Sequence, residues 1–162
     1  MATPGFILAL RERVGSHPLW LMSASAVVLR PSPGRPGVRQ VLLAHRPDFD
    51  VWAAVGGIID PGEEPAVAAA RECLEETGVV AEPEALAWVH AQAPATYPNG
   101  DRVQFLDLTF RFRYVSGDPH PADGENSEVA WFDEDALPPL SREMQGRVGT
   151  VLAGRDVTRF ER

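Results

Sequence analysis

Two spacings of apolar residues divide this chain into strands and helices. In "RVQFLDLTFRFRYV" (102–115), Leu106, Leu108, Phe110, Phe112 and Tyr114 fall on one side, while Phe105, Asp107, Thr109, Arg111 and Arg113 fall on the other. That is the two-residue period of a β-strand. "WLMSASAVVLR" (20–30) and "VRQVLLAHR" (38–46) are rich in small and β-branched residues, and the "PSPGRPG" between them predicts a hairpin with a long connection. Further strands are predicted at "VWAAVGGII" (51–59), "ALAWVHAQA" (85–93) and "EVAWF" (128–132), with a tight turn at Asn99-Gly100 inside "TYPNGD".

Helical spacing occurs three times. Phe6, Ile7, Leu10 and Val14 share one side of a short N-terminal helix. No basic residue precedes "GFILAL" and "RERVG" follows at once, so it is expected to be neither a secretory leader nor a membrane span. A central helix is predicted to begin near Pro65, since proline suits the first turn, and to stop at Gly78, since glycine suits the residue just past a helix. "SREMQGRVGTVLAG" (141–154) predicts a closing helix. Strands, one central helix, more strands and a terminal helix make a mixed α/β layered arrangement without internal repeats.

Size and charge narrow the chemistry. At 162 residues and 44% hydrophobic, the chain is expected to form a single domain over 1–162, with 1–18 as a helical extension. A net charge of -8, from 23 Asp+Glu against 15 Lys+Arg, repels polyanions. Neither duplex nucleic acid nor a membrane is an expected partner, and an anionic substrate must meet locally supplied positive charge. Cys73 is the one cysteine, and His17, His45, His90 and His120 lie too far apart in sequence for zinc-ligand spacing. The cytoplasm is the expected compartment.

The acidic residues are concentrated in "GGIIDPGEEPAVAAARECLEETGVV" (56–80). At about 100° per residue, Ala66, Val67, Ala70, Cys73 and Leu74 form an apolar face expected to pack on the sheet, with Glu72, Glu75 and Glu76 opposite. Carboxylates at i, i+3 and i+4 repel one another, and near a helix C-terminus they also oppose the macrodipole. A bound divalent cation removes both costs, and oxygen-only ligands favour a hard ion, Mg2+ or Mn2+, over zinc.

The segment resembles the Nudix box of the Nudix hydrolase family: Gly57, then Glu63, then Arg71-Glu72-Cys73-Leu74-Glu75-Glu76-Thr77-Gly78-Val79, with every fixed position matched. Cys73 is a mild variant at an apolar position, read as a small buried hydrophobe. Val55 stands where the family often has proline. The resemblance implies an α/β/α sandwich with a mixed sheet. It also implies metal-dependent hydrolysis of a nucleoside diphosphate linked to another group, such as ADP-ribose or a nucleotide sugar, with attack of water on phosphorus.

By the same resemblance, Glu72, Glu75 and Glu76 are expected metal ligands beside the main-chain carbonyl of Gly56, and Glu63 and Arg71 an ion pair holding helix and loop in register. Family members differ over whether the general base lies in the box or on a later loop. Here the loop candidate is Glu125, six residues before Trp131, with Glu128 as its competitor. Arg46, Trp52, Tyr97, Arg102 and Arg111 are candidates to grip phosphate or stack on a base. A small nucleotide is the expected partner, and homodimer formation is left open. Three alternatives accompany this reading: hydrolysis of nucleoside triphosphates, a non-catalytic nucleotide-sensing domain, and isomerisation of isopentenyl diphosphate. The intact glutamates speak against the second, and Cys73 on the packing face speaks against the third.

Overall fold

The computed structural model describes residues 3–97 and 99–161. Its elements are α1 (Gly5–Val14), β1 (Leu19–Pro31), β2 (Arg39–Arg46), β3 (Val51–Ala53), β4 (Val55–Ile58), α2 (Pro65–Thr77), β5 (Val80–Ala91), β6 (Ala95–Thr96), β7 (Arg102–Ser116), β8 (Glu128–Asp133), α3 (Arg142–Leu152) and β9 (Arg159–Phe160). The strands form one mixed sheet in the order β3-β2-β1-β7-β5-β9, with β4 on β1, β6 on β7 and β8 on β2. β1–β7 and β5–β9 are parallel pairs and the other pairs are antiparallel. The predicted turn at "TYPNGD" includes Pro98, which lies outside the described residues. Beside it, the Tyr97 N–H donates to the Asp101 carbonyl and Gly100 takes a positive φ of 87°.

Alternation along β1 distributes the layers. Ala24, Ala26 and Val28 join Phe110 and Phe112 of β7 in the core beneath α2. Val27 and Leu29 face the other way, into a core with Met144, Val148 and Val151 of α3. Leu21 and Val103, also on this second face, pack with Ile7 of α1. The result is an α/β/α sandwich with α2 on one side and α1 and α3 on the other. Among the described residues, no helix is long and apolar enough to cross a membrane.

Two expected helix faces need correction. On α1, Ile7 is buried and Phe6 packs beside it, but Leu10 and Val14 are exposed. On α2, Ala66, Ala70 and Cys73 do meet the core, whereas Val67 and Leu74 are about half exposed. The buried face of α2 instead runs through Ala68, Ala69, Glu72, Cys73, Glu76 and Thr77. Small side chains at 68 and 69 let the helix approach the sheet closely on that side, which outweighs the area that Val67 and Leu74 would bury. This rotation carries Glu72 and Glu76 inward.

Candidate active site

α2 starts with Pro65 in its first turn and ends at Gly78, whose left-handed conformation (φ 68°) receives the chain into β5. Carbonyls of a last helical turn lack partners within the helix. Here the 117–127 loop supplies two: the His120 N–H donates to the Thr77 carbonyl and the Ala122 N–H to the Glu76 carbonyl. A Cβ on Gly78 would lie 2.2 Å from the His120 ring, so glycine permits this docking. Docking delivers Asp123, Glu125 and Asn126 to the inner face of α2. Asp123 shapes the bend by accepting the Glu125 N–H through Oδ1 at 3.0 Å.

Arg71 organises the carboxylates. Its Nε and Nη2 donate to the two oxygens of Glu63 at 2.9 and 3.0 Å, and its Nη1 donates to Glu72 at 2.8 Å and to Glu75 at 3.1 Å. The paired guanidinium holds the Glu63 carboxyl below the ordinary glutamate range, and Glu63 in turn accepts the Asp60 N–H. Burial, at 3% exposure, raises the Glu72 pKa despite the nearby Arg71. Among the described residues, Glu76 has no cationic partner. It accepts the Gly56 N–H at 3.4 Å and the Asn126 Nδ2 at 3.1 Å. Burial pushes it up to about 7, the Asn126 hydrogen bond opposing the rise. Gly56 is held tightly against β1, where a Cβ would lie 2.5 Å from the Ala24 carbonyl oxygen.

Two hollows meet at these residues. The smaller is lined by Asp60, Arg71, Glu72, Glu75, Asp123 and Glu125. The larger, about 630 Å³, lies on the opposite sheet face between α1 and α3, a volume suited to a small-molecule ligand. Pro4, Ile58 and Glu125 line both. Arg46, Trp52 and Tyr97 line the larger cleft, which therefore holds three of the five expected substrate contacts. Arg102 and Arg111 do not line it. Arg102 donates to the Ser16 carbonyl, and Arg111 pairs with Glu84 across the β5–β7 ladder. Glu128 lines neither hollow and stands opposite His45 at the start of β8.

The cleft floor holds a buried polar cluster that lies outside the residues expected from the sequence. Asp107, 1% exposed, accepts from the Ser23 and Ser25 hydroxyls on Oδ1 and from Thr109 on Oδ2. Arg147 of α3 approaches Asp107 Oδ2 at 3.5 Å and donates to Glu143 at 2.7 Å. The signal for this cluster was an aspartate in the middle of an apolar strand, since a buried carboxylate requires donors.

The oxygen-only donors fit a hard divalent cation. Glu72 and Glu76 are buried carboxylates, of which, among the described residues, only Glu72 pairs with a cation, an arginine it shares with Glu63 and Glu75; the Asn126 Oδ1 beside Glu76 is buried without a hydrogen-bond partner. As the side chains stand, Glu72 and Glu75 turn to Arg71 while Glu76 turns to Asn126. Among the described residues, no three acidic, His or Cys groups converge on one point. Glu75, whose side chain is 55% exposed, is the least enclosed of the three glutamates.

Arg71→Ala should lower stability by roughly 2 kcal/mol by leaving Glu63 and buried Glu72 unpaired. A melting temperature measured in chelator should fall by about 5 °C, and less in excess Mg2+. An unaltered melting temperature would mean that the Arg71 contacts are weak.

A family model described as NUDIX domain matches residues 20–151. An NAD-capped RNA hydrolase NudC of Chromobacterium violaceum is 36% identical over 104 residues, covering 63% of this chain and 36% of the relative. This chain thus spans about a third of the NudC relatives it matches. A putative 8-oxo-dGTP diphosphatase of Bacillus subtilis strain 168 is 33% identical over 122 residues, covering 74% of this chain and 71% of the relative. Among solved structures, a UDP-X diphosphatase aligns with a TM-score of 0.65 at 20% identity, over 96% of this chain and 73% of that one. A NUDIX hydrolase from Nitrosomonas europaea aligns at 0.64 and 25% identity, over 84% and 90%.

Proposed function

Because this chain belongs to the Nudix family, we propose that it hydrolyses the pyrophosphate linkage of a nucleoside diphosphate joined to another group, with Mg2+ or Mn2+ as cofactor. The observation that carries this reading is the junction of the two hollows, where an acidic groove opens beside a nucleotide-sized cleft and Glu125 lines both. Nudix hydrolases generally use divalent metal ions. Glu72, Glu75 and Glu76 would hold the cation, which when bound offsets phosphate charge and makes a water a better nucleophile.

The chain's own residues have distinct tasks in this reading. Arg71, locked to Glu63, fixes Glu72 and relinquishes Glu75. Glu125, at the junction, receives the proton of the attacking water. Arg46 and Tyr97 line the cleft that takes the nucleotide, and Arg147, paired with Asp107 and Glu143, places a guanidinium at its floor. Water adds across one P–O–P bond, leaving two phosphate monoesters.

A nucleoside triphosphate substrate is the second reading, favoured by the Bacillus subtilis relative, which is matched over most of its own length. A panel of ADP-ribose, nucleotide sugars, dinucleoside polyphosphates and nucleoside triphosphates, incubated with Mg2+, separates the two. Linked diphosphates should yield inorganic phosphate only after a phosphatase is added. Triphosphates cleaved to pyrophosphate should yield it after an inorganic pyrophosphatase. Absence of turnover across the panel would overturn both.

A further inference from the structure

Asn126, 5% exposed, lines the larger cleft together with Glu76 and Glu125, and Glu125 also lines the acidic groove. Its carboxamide is used on one arm only: Nδ2 donates to Glu76 at 3.1 Å, while Oδ1, attached to the same carbon, has no hydrogen-bond partner. Among the described residues, six other buried side-chain atoms lack a partner, and all are nitrogens; Asn126 Oδ1 is the only oxygen.

The difference is chemical. A leftover N–H can be met by water or by a phosphate oxygen. An acceptor beside Glu76, in a cleft that Glu125 also lines, can be met by water or by a cation but not by an ionised carboxylate, which only accepts. Loop bracing does not account for the arrangement, because backbone bonds already do that work: Ser127 N–H donates to the His45 carbonyl and Ala122 N–H to the Glu76 carbonyl. A buried acceptor without a partner is unfavourable in the folded protein, so its persistence points to a group that meets it when the site is filled. A cation satisfies Oδ1 and the surrounding carboxylates together.

We propose that Asn126 is a positioning residue with two arms: Nδ2 orients Glu76, and Oδ1 contributes a neutral oxygen to the group of atoms that holds the divalent cation. The catalytic consequence rests on the pyrophosphohydrolase reading above, whereas the cation-holding half stands without it. A neutral ligand suits this position, since it adds coordination without enlarging the crowd of negative charge that Arg71 offsets.

The test is Mn2+ binding to the full chain without nucleotide, followed by electron paramagnetic resonance of the free ion, in the wild type, Asn126→Leu and Asn126→Asp. The leucine variant should bind Mn2+ about tenfold more weakly, as for other groups that orient metal ligands. The aspartate variant, which keeps an oxygen, should bind at least as tightly as the wild type. On a substrate found in the panel, the leucine variant should lose about tenfold or more in kcat with KM changed less than about threefold. A purely structural role would instead change the melting temperature and leave Mn2+ affinity untouched. Wild-type affinity in folded Asn126→Leu overturns the proposal. If that variant does not fold, Asn126→Asp decides, and weakened binding by it overturns the oxygen's role. Loss of Mn2+ affinity in Asn126→Leu, together with a wild type that hydrolyses nothing, would leave this inference standing and remove the proposed activity.

Discussion

Glu76→Gln is expected to lower kcat by roughly two to four orders of magnitude, the range for losing a group that carries charge or proton in the transition state. The amide keeps the length and planarity of the side chain, so the fold should survive. Among the described residues, Glu76 differs from its neighbours in having no guanidinium partner: its hydrogen bonds come from the Gly56 N–H and the Asn126 amide. In metal-free protein, burial lifts its pKa to about 7, above that of an exposed glutamate in the unfolded chain. A raised folded pKa gives stability that is fully present below the unfolded value and lost as pH rises through the folded one. In chelator, wild type should therefore lose up to about 3 kcal/mol through this group between pH 4.5 and just above 7. The glutamine variant does not titrate, and its stability relative to wild type should rise across that window. Denaturant unfolding at pH 5 and pH 8 measures the difference. A stability gap independent of pH would show that Glu76 is no more buried electrostatically than an ordinary glutamate, and an unchanged kcat would remove it from the reaction.

Excess chelator should abolish turnover altogether, and added Mg2+ should restore it. Three carboxylates at the end of α2 oppose its macrodipole, and two of them are buried. An ion that binds the folded cluster but not the unfolded chain also stabilises, by about 1.4 kcal/mol at ten times its dissociation constant. Melting in MgCl2 should exceed melting in KCl of matched ionic strength, which subtracts screening. The excess should shrink in Glu72→Gln, because burial holds Glu72 against the site. Equal melting in both salts would mean that the metal arrives only with the substrate. Full turnover in chelator would remove metal dependence itself.

What was legible in the sequence is what depends on local spacing. The box fixes Glu63, Arg71, Glu72, Glu75 and Glu76 through helix geometry within a few turns, and Pro65 and Gly78 mark the helix ends through backbone preference. The rotation of α2 was not legible from hydrophobicity, since the packing face is chosen by the smallness of Ala68 and Ala69 and by a loop docking from 117–127. Asn126 meets Glu76 across 50 residues and Ser23 meets Asp107 across 84, distances over which spacing carries no information. Charge makes Arg102 and Arg111 candidates in the sequence, but the fold brings acceptors, the Ser16 carbonyl and the Glu84 carboxylate, that claim both.

The parallel pairing of β1 with β7 has a kinetic consequence. Leu19 to Leu29 align residue for residue with Val103 to Arg113, so the central seam of the sheet closes a loop of more than eighty residues. Closure on that scale delays the reward of contact until much of the chain is searching together, the property that slows folding in proteins of non-local topology. During synthesis, β1 and the whole of α2 emerge well before β7 exists. Over that interval the apolar side of α2 lacks Phe110 and Phe112, and β1 presents an unpaired edge of small and β-branched residues. The segment that carries Glu72, Glu75 and Glu76 is thus made early and housed late, and the nascent chain is most exposed to aggregation between those two events.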